Sequence, residues 1–355
     1  MDNRCLDLGT DSLHPDSTTP AALGYRMPAE WEPHAATWLT WPRPDGISFP
    51  GRYEVVPPVL AKLVRLIAEG EAVHINIWDA KLERLAKRAL EAEGVPMAAV
   101  EFHPFRAYEP WCRDHGPLFV TRPGGDRAIV NWGYNAWGGK YPPFDLDDAI
   151  PVQVADALGL PLFEPGMILE GGSIDVNDAG DLLTTEACLL HPNRNPRLAK
   201  RDIEARLRGF LGVDKITWLG DGIEGDDTDG HVDDISRFVS TDTVVTAVEP
   251  DAADRNHAPL QANRERLGQA FDVIELPMPR RIEQDGQRLP ASYANFYICN
   301  AHVIVPTYRD ANDDRALGLL LEAFPGRTVT GLDSTDLIWG LGSFHCLTQQ
   351  EPAAK

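Results

Sequence analysis

Along the chain, short runs of β-branched and aromatic residues alternate with longer stretches whose apolar positions recur every three or four residues. Runs at 35–41, 72–78, 128–132, 215–219, 242–247, 272–276, 301–306 and 327–331 read as strands. Amphipathic helices are expected between them at 57–69, 81–93, 196–211, 260–270 and 311–324. The first opens on Pro57-Pro58 and stops at Gly70, and the second stops at Gly94, following the preference for proline at helix starts and glycine after their ends. In the last, Leu317, Leu320, Leu321 and Phe324 fall on one face. Strand and helix alternate from end to end, which means an α/β architecture. No Gly/Ser- or Pro-rich linker divides the chain, so residues 21–355 are expected to form one catalytic domain behind a loose N-terminal arm at 1–20.

Composition narrows the class without choosing a function. The 355 residues are 43% hydrophobic and carry a formal charge of −21, a field that repels nucleic acid and anionic membrane surfaces and favours small cations. Acidity of this kind also serves solubility. No apolar run approaches the roughly 20 residues needed to span a bilayer, and the N-terminus has no secretory h-region. Five cysteines, at positions 5, 112, 188, 299 and 346, show neither a disulfide framework nor zinc spacing. A cytoplasmic protein with isolated, mostly inert thiols is expected, and its many tryptophans suggest apolar surface for a homodimer.

Four stretches do not read as scaffold: 111–117, 170–173, 226–233 and 340–350, each mixing Gly with polar and charged residues beside apolar segments. The segment 133–140 imitates a phosphate-binding loop, but its second Gly, Gly138, is followed by Gly139 where the motif needs Lys, and no Ser or Thr follows at Lys140 or Tyr141. There is no dinucleotide fingerprint, no zinc-protease motif and no serine elbow, so no cofactor and no metal are expected.

Cys346 follows Gly340 and Gly342 and precedes Thr348-Gln349-Gln350, where backbone approach and donors are available to a nucleophile. Read alone, a cysteine of this kind is more often a small buried hydrophobe. His231, between Asp229 and Asp233, is the acid–base candidate; the same Asp/His run is also open to a structural reading or to a divalent cation. Asp114, Glu170 and Asp233 lie beside Gly in otherwise apolar segments, as guanidinium-binding carboxylates would, or as ordinary salt bridges would.

Seven ordered blocks resemble the agmatine deiminase family of the guanidino-group-modifying superfamily. They are Glu30-Trp31-Glu32-Pro33-His34, Arg113-Asp114-His115-Gly116-Pro117, Glu170-Gly171-Gly172-Ser173, Arg194-Asn195-Pro196, Thr228-Asp229-Gly230-His231-Val232-Asp233, Ser292-Tyr293-Ala294-Asn295-Phe296-Tyr297 and His345-Cys346-Leu347-Thr348-Gln349-Gln350-Glu351-Pro352. The resemblance implies a pentein fold, a five-module pseudo-symmetric α/β-propeller with a central active site. It also implies Cys346 as nucleophile, His231 as acid–base group, and Asp114, Glu170 and Asp233 as carboxylates gripping a guanidinium. Asp227 would meet the far amine of agmatine, Trp111 would wall the pocket, and Gly342 would line it. His115 stands where Thr is common, Leu341 where Gly is common, and Asp227 where Glu is usual. The alternatives are a deiminase of free arginine or peptidyl-arginine, a ribosome-binding pentein without catalysis, and an inactive sensor of polyamine-like cations.

Overall fold

The computed structural model describes residues 19–354, so the expected arm at 1–20 falls almost wholly outside the described residues; Pro20 itself is buried. Five small sheets repeat one plan. A short first strand pairs antiparallel with a second, and a helix then carries the chain across to a third strand, parallel to the second. The triplets are Leu118–Thr121, Arg127–Val130 and Leu162–Phe163, then Ile174–Val176, Asp181–Thr185 and Lys215–Leu219. Ser236–Phe238, Thr243–Val248 and Asp272–Pro277 follow, and then Tyr297–Ile298, His302–Thr307 and Thr328–Asp333.

The fifth sheet joins the two ends of the described chain. Thr348–Pro352 pairs antiparallel with His34–Thr40, which continues in parallel to Ala72–Asn76 and Val100–His103. Helices Val56–Ile67, Ile150–Leu158, Lys200–Leu211, His257–Leu267 and Asp313–Ala323 cover the sheets, turning Leu60, Leu63 and Val64, or Ile203, Leu207 and Leu211, into the core. The five-module α/β arrangement implied by the resemblance is the one observed. One detail of the amphipathic reading is corrected: Leu320 and Phe324 are buried, but Leu321 is 56% exposed, because Ala316 takes the inner position on its turn.

The plan explains where the site forms. Immediately before each first strand the chain makes a short turn: Cys112–His115, Gly171–Ser173, Val232–Asp234, residues 292–296 and Phe344–Leu347. Several of these turns pack directly on one another. Residues far apart in sequence therefore meet at one end of the modules, and all four non-scaffold stretches supply part of that meeting point.

Candidate active site

Cys346 lies in the turn Phe344–Leu347 and lines a cavity of about 160 Å³ with Trp111, Asp114, Trp137, Tyr141, Asp227 and Gly342. Among the described cysteines it alone borders this cavity; Cys112, Cys188 and Cys299 are buried elsewhere. Its Sγ is 3.0 Å from Nδ2 of Asn295 and 3.7 Å from Oδ2 of Asp233. Burial, followed by the charges of Asp233, Asp234 and Asp114, pushes the thiol well above its ordinary value.

Asp233 links the thiol to His231. Its Oδ2 faces the sulfur, while its Oδ1 is 4.0 Å from Nδ1 of His231. That imidazole nitrogen is also 3.6 Å from Oδ1 of Asp114. Gly172 closes the group from below: a Cβ there would come within 2.6 Å of His231 Nδ1, 2.9 Å of Asp114 Oδ1 and 3.0 Å of Asp233 Oδ2. Only a residue without a side chain lets the three approach.

The His231 ring is fully buried, and neither nitrogen has a hydrogen-bond partner among the described residues. Burial lowers its pKa to about 3, against the opposing pull of Asp233, so the ring is neutral at neutral pH. A buried donor–acceptor group left unpaired in this way is ready for a ligand. Its loop is held by Asp226, which accepts from the backbone of Thr228, Gly230 and His231. Asp229, which flanks His231 in sequence, turns away to Arg194, Asn193 and Lys140.

The two carboxylates that face His231 have their pKa values driven apart. Asp114 accepts from Trp137 Nε1 at 2.9 Å and from the Gly172 amide at 3.1 Å, but burial and the charges of Asp233 and Glu170 raise its pKa well above the carboxylate range. Asp233 is also penalised by burial, yet the hydrogen bond and charge of His345 hold it below its ordinary value. His345 Nδ1 is 2.7 Å from Asp233 Oδ2, and its Nε2 is 2.8 Å from Glu30 Oε2. The ring thus bridges two carboxylates. Glu30 also receives Arg113 and Arg237, so a buried ladder of alternating charge anchors Asp233.

Glu170 is fully buried next to His231. Like His231 and Asp233, it does not itself border the cavity. One oxygen accepts from Arg194 Nε at 2.9 Å and the other has no partner among the described residues. A Glu170 oxygen, Cys188 Sγ and a His231 nitrogen lie within 4.8 Å of one another, which puts this carboxylate beside the imidazole.

At the rim, Asp227 borders the cavity and accepts from the Tyr141 hydroxyl, while Lys140 Nζ approaches it at 3.5 Å. Trp111 walls the opposite side, its Nε1 donating to Ser48 Oγ at 2.9 Å. Gly342 lies flat against that indole; a Cβ would fall 2.6 Å from a ring carbon. Leu341 holds a left-handed backbone (φ 69°), which explains why glycine is at home there. His115 bonds the Glu109 carbonyl at 3.1 Å and does not border the cavity.

Sequence reasoning passed over Asn295, His345, Trp137 and Tyr141. The first two stood inside quoted blocks. Trp137 lay in the segment dismissed as a false phosphate loop, where positive φ at Ala136, Trp137, Gly138 and Gly139 forms a turn that aims the indole at Asp114. The expected tryptophan surface is also absent, since all nine Trp are buried or half-buried.

Residues 26–352 match the family described as Porphyromonas-type peptidyl-arginine deiminase. The chain belongs to that family. Within it, the chain groups with the agmatine deiminases. It is 36% identical to the agmatine deiminase of Pseudomonas syringae pv. tomato, over 95% of this chain and 98% of that protein. It is 34% identical to that of Ectopseudomonas mendocina, over 95% and 98%. Among solved structures, the agmatine deiminase of Enterococcus faecalis superposes with a TM-score of 0.88 at 32% identity, covering 96% of this chain and all of that one. A substrate-bound C. jejuni agmatine deiminase superposes with a TM-score of 0.86 at 30% identity, over 93% and 97%.

Proposed function

We propose that this family member hydrolyses agmatine to N-carbamoylputrescine and ammonia, with Cys346 as nucleophile and His231 as acid–base group. The observation that carries the reading is a thiol and a carboxylate, Cys346 and Asp114, on the wall of a narrow cavity with an acidic rim, backed by the unpartnered buried imidazole of His231 and the carboxylate of Asp233. Agmatine's flat cationic guanidinium fits between Asp114 and Asp233, and its far amine reaches towards Asp227. Trp111 packs along the aliphatic part.

The empty site keeps Cys346 as a thiol, because three acids face it. Entry of the guanidinium brings the missing positive charge, so that Asp114 releases its proton to solvent and ionises while the thiol passes its own proton to neutral His231. The sulfur then adds to the guanidinium carbon, which the carboxylates hold in plane. His231 returns the proton to one nitrogen, ammonia leaves, and an S-alkylthiouronium remains on Cys346. Neutral again, His231 takes a proton from water as the oxygen attacks the same carbon. Cleavage of the C–S bond releases the ureido product and restores the thiol. Glu170 orients and charge-balances His231 from behind. Every bond made or broken involves sulfur, nitrogen or water, so the steps call on no cofactor.

Free arginine and peptidyl-arginine are the competing substrates. The rim supports an amine instead: Asp227 is acidic, and Lys140 is already engaged by Asp227 and Asp229. Ammonia release measured side by side with agmatine, arginine and a C-terminal arginyl peptide tests the reading. Agmatine should be preferred by orders of magnitude; equal or better turnover of arginine would overturn it. We also read residues 21–355 as one catalytic domain, acting in the cytoplasm in polyamine synthesis or agmatine breakdown. No helix among the described residues is long and apolar enough to cross a membrane. The homodimer is retained as a proposal without its tryptophan rationale, and light scattering at working concentration decides it.

A further inference from the structure

On the fifth sheet, the one that joins the two ends of the described chain, three side chains with metal-binding atoms share one face away from the catalytic cavity. His74 stands directly across from Glu101 in the parallel pairing of Ala72–Asn76 with Val100–His103, and His103 follows Glu101 by two residues. Strand geometry sends all three side chains the same way. His74 Nδ1 and His103 Nε2 are 2.8 Å apart, and the Glu101 carboxylate is 3.7 Å from the first and 3.9 Å from the second. None of the three borders the catalytic cavity.

We propose that His74, His103 and Glu101 form a site for one divalent transition-metal ion of the zinc type. Ligand atoms on a tetrahedral ion with bonds of about 2.0–2.1 Å stand about 3.3 Å from one another. The two imidazoles need to part by about 0.5 Å and the carboxylate to move in by a similar amount, both within the reach of side-chain torsions. Glu101 is 67% exposed at its side chain, so it is free to make that movement and leaves an entry path from solvent. The imidazoles are nearly buried and already fixed. Trp38 stacks on His74 with ring centres 4.5 Å apart and lies 4.7 Å from His103, which also meets Phe105 at 5.2 Å. Trp38 is itself pinned, donating Nε1 to Glu351 Oε2 at 2.8 Å, and Glu351 is held in turn by Arg127. Such aromatic packing sets the ring orientations before an ion arrives, which lowers the cost of binding. Two imidazoles and one carboxylate suit zinc, nickel or copper better than magnesium or calcium. Water would fill the remaining position.

The test is titration of the full-length, chelator-treated protein with ZnCl2 by calorimetry, with CoCl2 absorption as the second measurement. One ion per chain should bind in the micromolar range or tighter. His74→Asn and His103→Asn should each weaken it by more than about 100-fold, beyond what loss of an outer hydrogen-bond partner costs. Both variants should keep agmatine turnover in chelator, which reports that they are folded. Cobalt should give the weak bands of nitrogen and oxygen ligands. An intense sulfur-to-cobalt band would place the ion at Cys346 or Cys188, where carboxylates and thiols also converge, and would overturn the proposal. So would zinc binding untouched by the histidine substitutions, or none below millimolar concentration.

Discussion

Cys346 Sγ lies 3.7 Å from Oδ2 of Asp233, a carboxylate kept charged by His345 on its other side. A sulfur set against a negative charge is a poor nucleophile until a cation arrives between them. The substrate is that cation, so the same acids that quiet the free enzyme activate the complex.

Thiol reactivity in the free enzyme follows from this. The Cys346 pKa is raised, so the thiol form prevails at neutral pH and the thiolate fraction grows only as pH rises past the ordinary thiol value. Alkylation by iodoacetamide should be slow at pH 7 and climb through pH 9 and above. Asp233→Asn removes the largest charge opposing ionisation and should move the inflection down. An inflection well below 7 in the wild type would contradict the account.

His345 is expected to act by holding Asp233. His345→Gln removes a charge-assisted hydrogen bond of about 1.5–3 kcal/mol, which corresponds to roughly 10–100-fold in kcat/KM. Because the Asp233 pKa would rise, the acidic limb of the pH–rate profile should shift upward. Loss of activity with an unmoved limb would assign His345 to packing alone.

Asp114→Asn should cost roughly 10²–10³-fold or more in kcat, since the guanidinium loses a charged, buried partner. Trp137→Phe, which deletes only the indole donor to Asp114, should cost about 10-fold. Steady-state kinetics with agmatine reads both.

Gly172→Ala should nearly abolish turnover and lower stability by about 1–3 kcal/mol, as overpacking does, because the added methyl group overlaps His231, Asp114 and Asp233. Denaturant melts beside activity assays separate the two effects.

Asp227 should govern binding of the tail. Asp227→Asn should raise KM for agmatine with little change in kcat, and Asp227→Glu, one methylene longer, should shift the optimum towards a shorter guanidinoalkylamine. kcat/KM across a chain-length series checks this.

Much of the scaffold was legible because its longer strands and helices carry strong periodicity. The strand at Lys215–Leu219 has the expected bounds, Asp272–Pro277 runs one residue longer, and His302–Thr307 is shifted by one residue. The first strands of the modules, such as Ile174–Val176 and Tyr297–Ile298, were not legible: two or three buried residues hold no period. Cys346, His231 and Asp114 could be named because Gly and polar residues mark their turns. Glu170 could be named but not placed, since its partner Arg194 and neighbour His231 are brought to it only by the modular packing. The ladder from Glu30 to His345 spans 315 positions and leaves no local trace.

Mass spectrometry of the wild-type protein, acid-quenched while turning over agmatine, tests the central claim most directly. The account predicts a species heavier than the free chain by agmatine less ammonia, carried on the peptide containing Cys346 and missing from Cys346→Ala, which should also be inactive. Sustained turnover by Cys346→Ala, or an adduct on another residue, would contradict it.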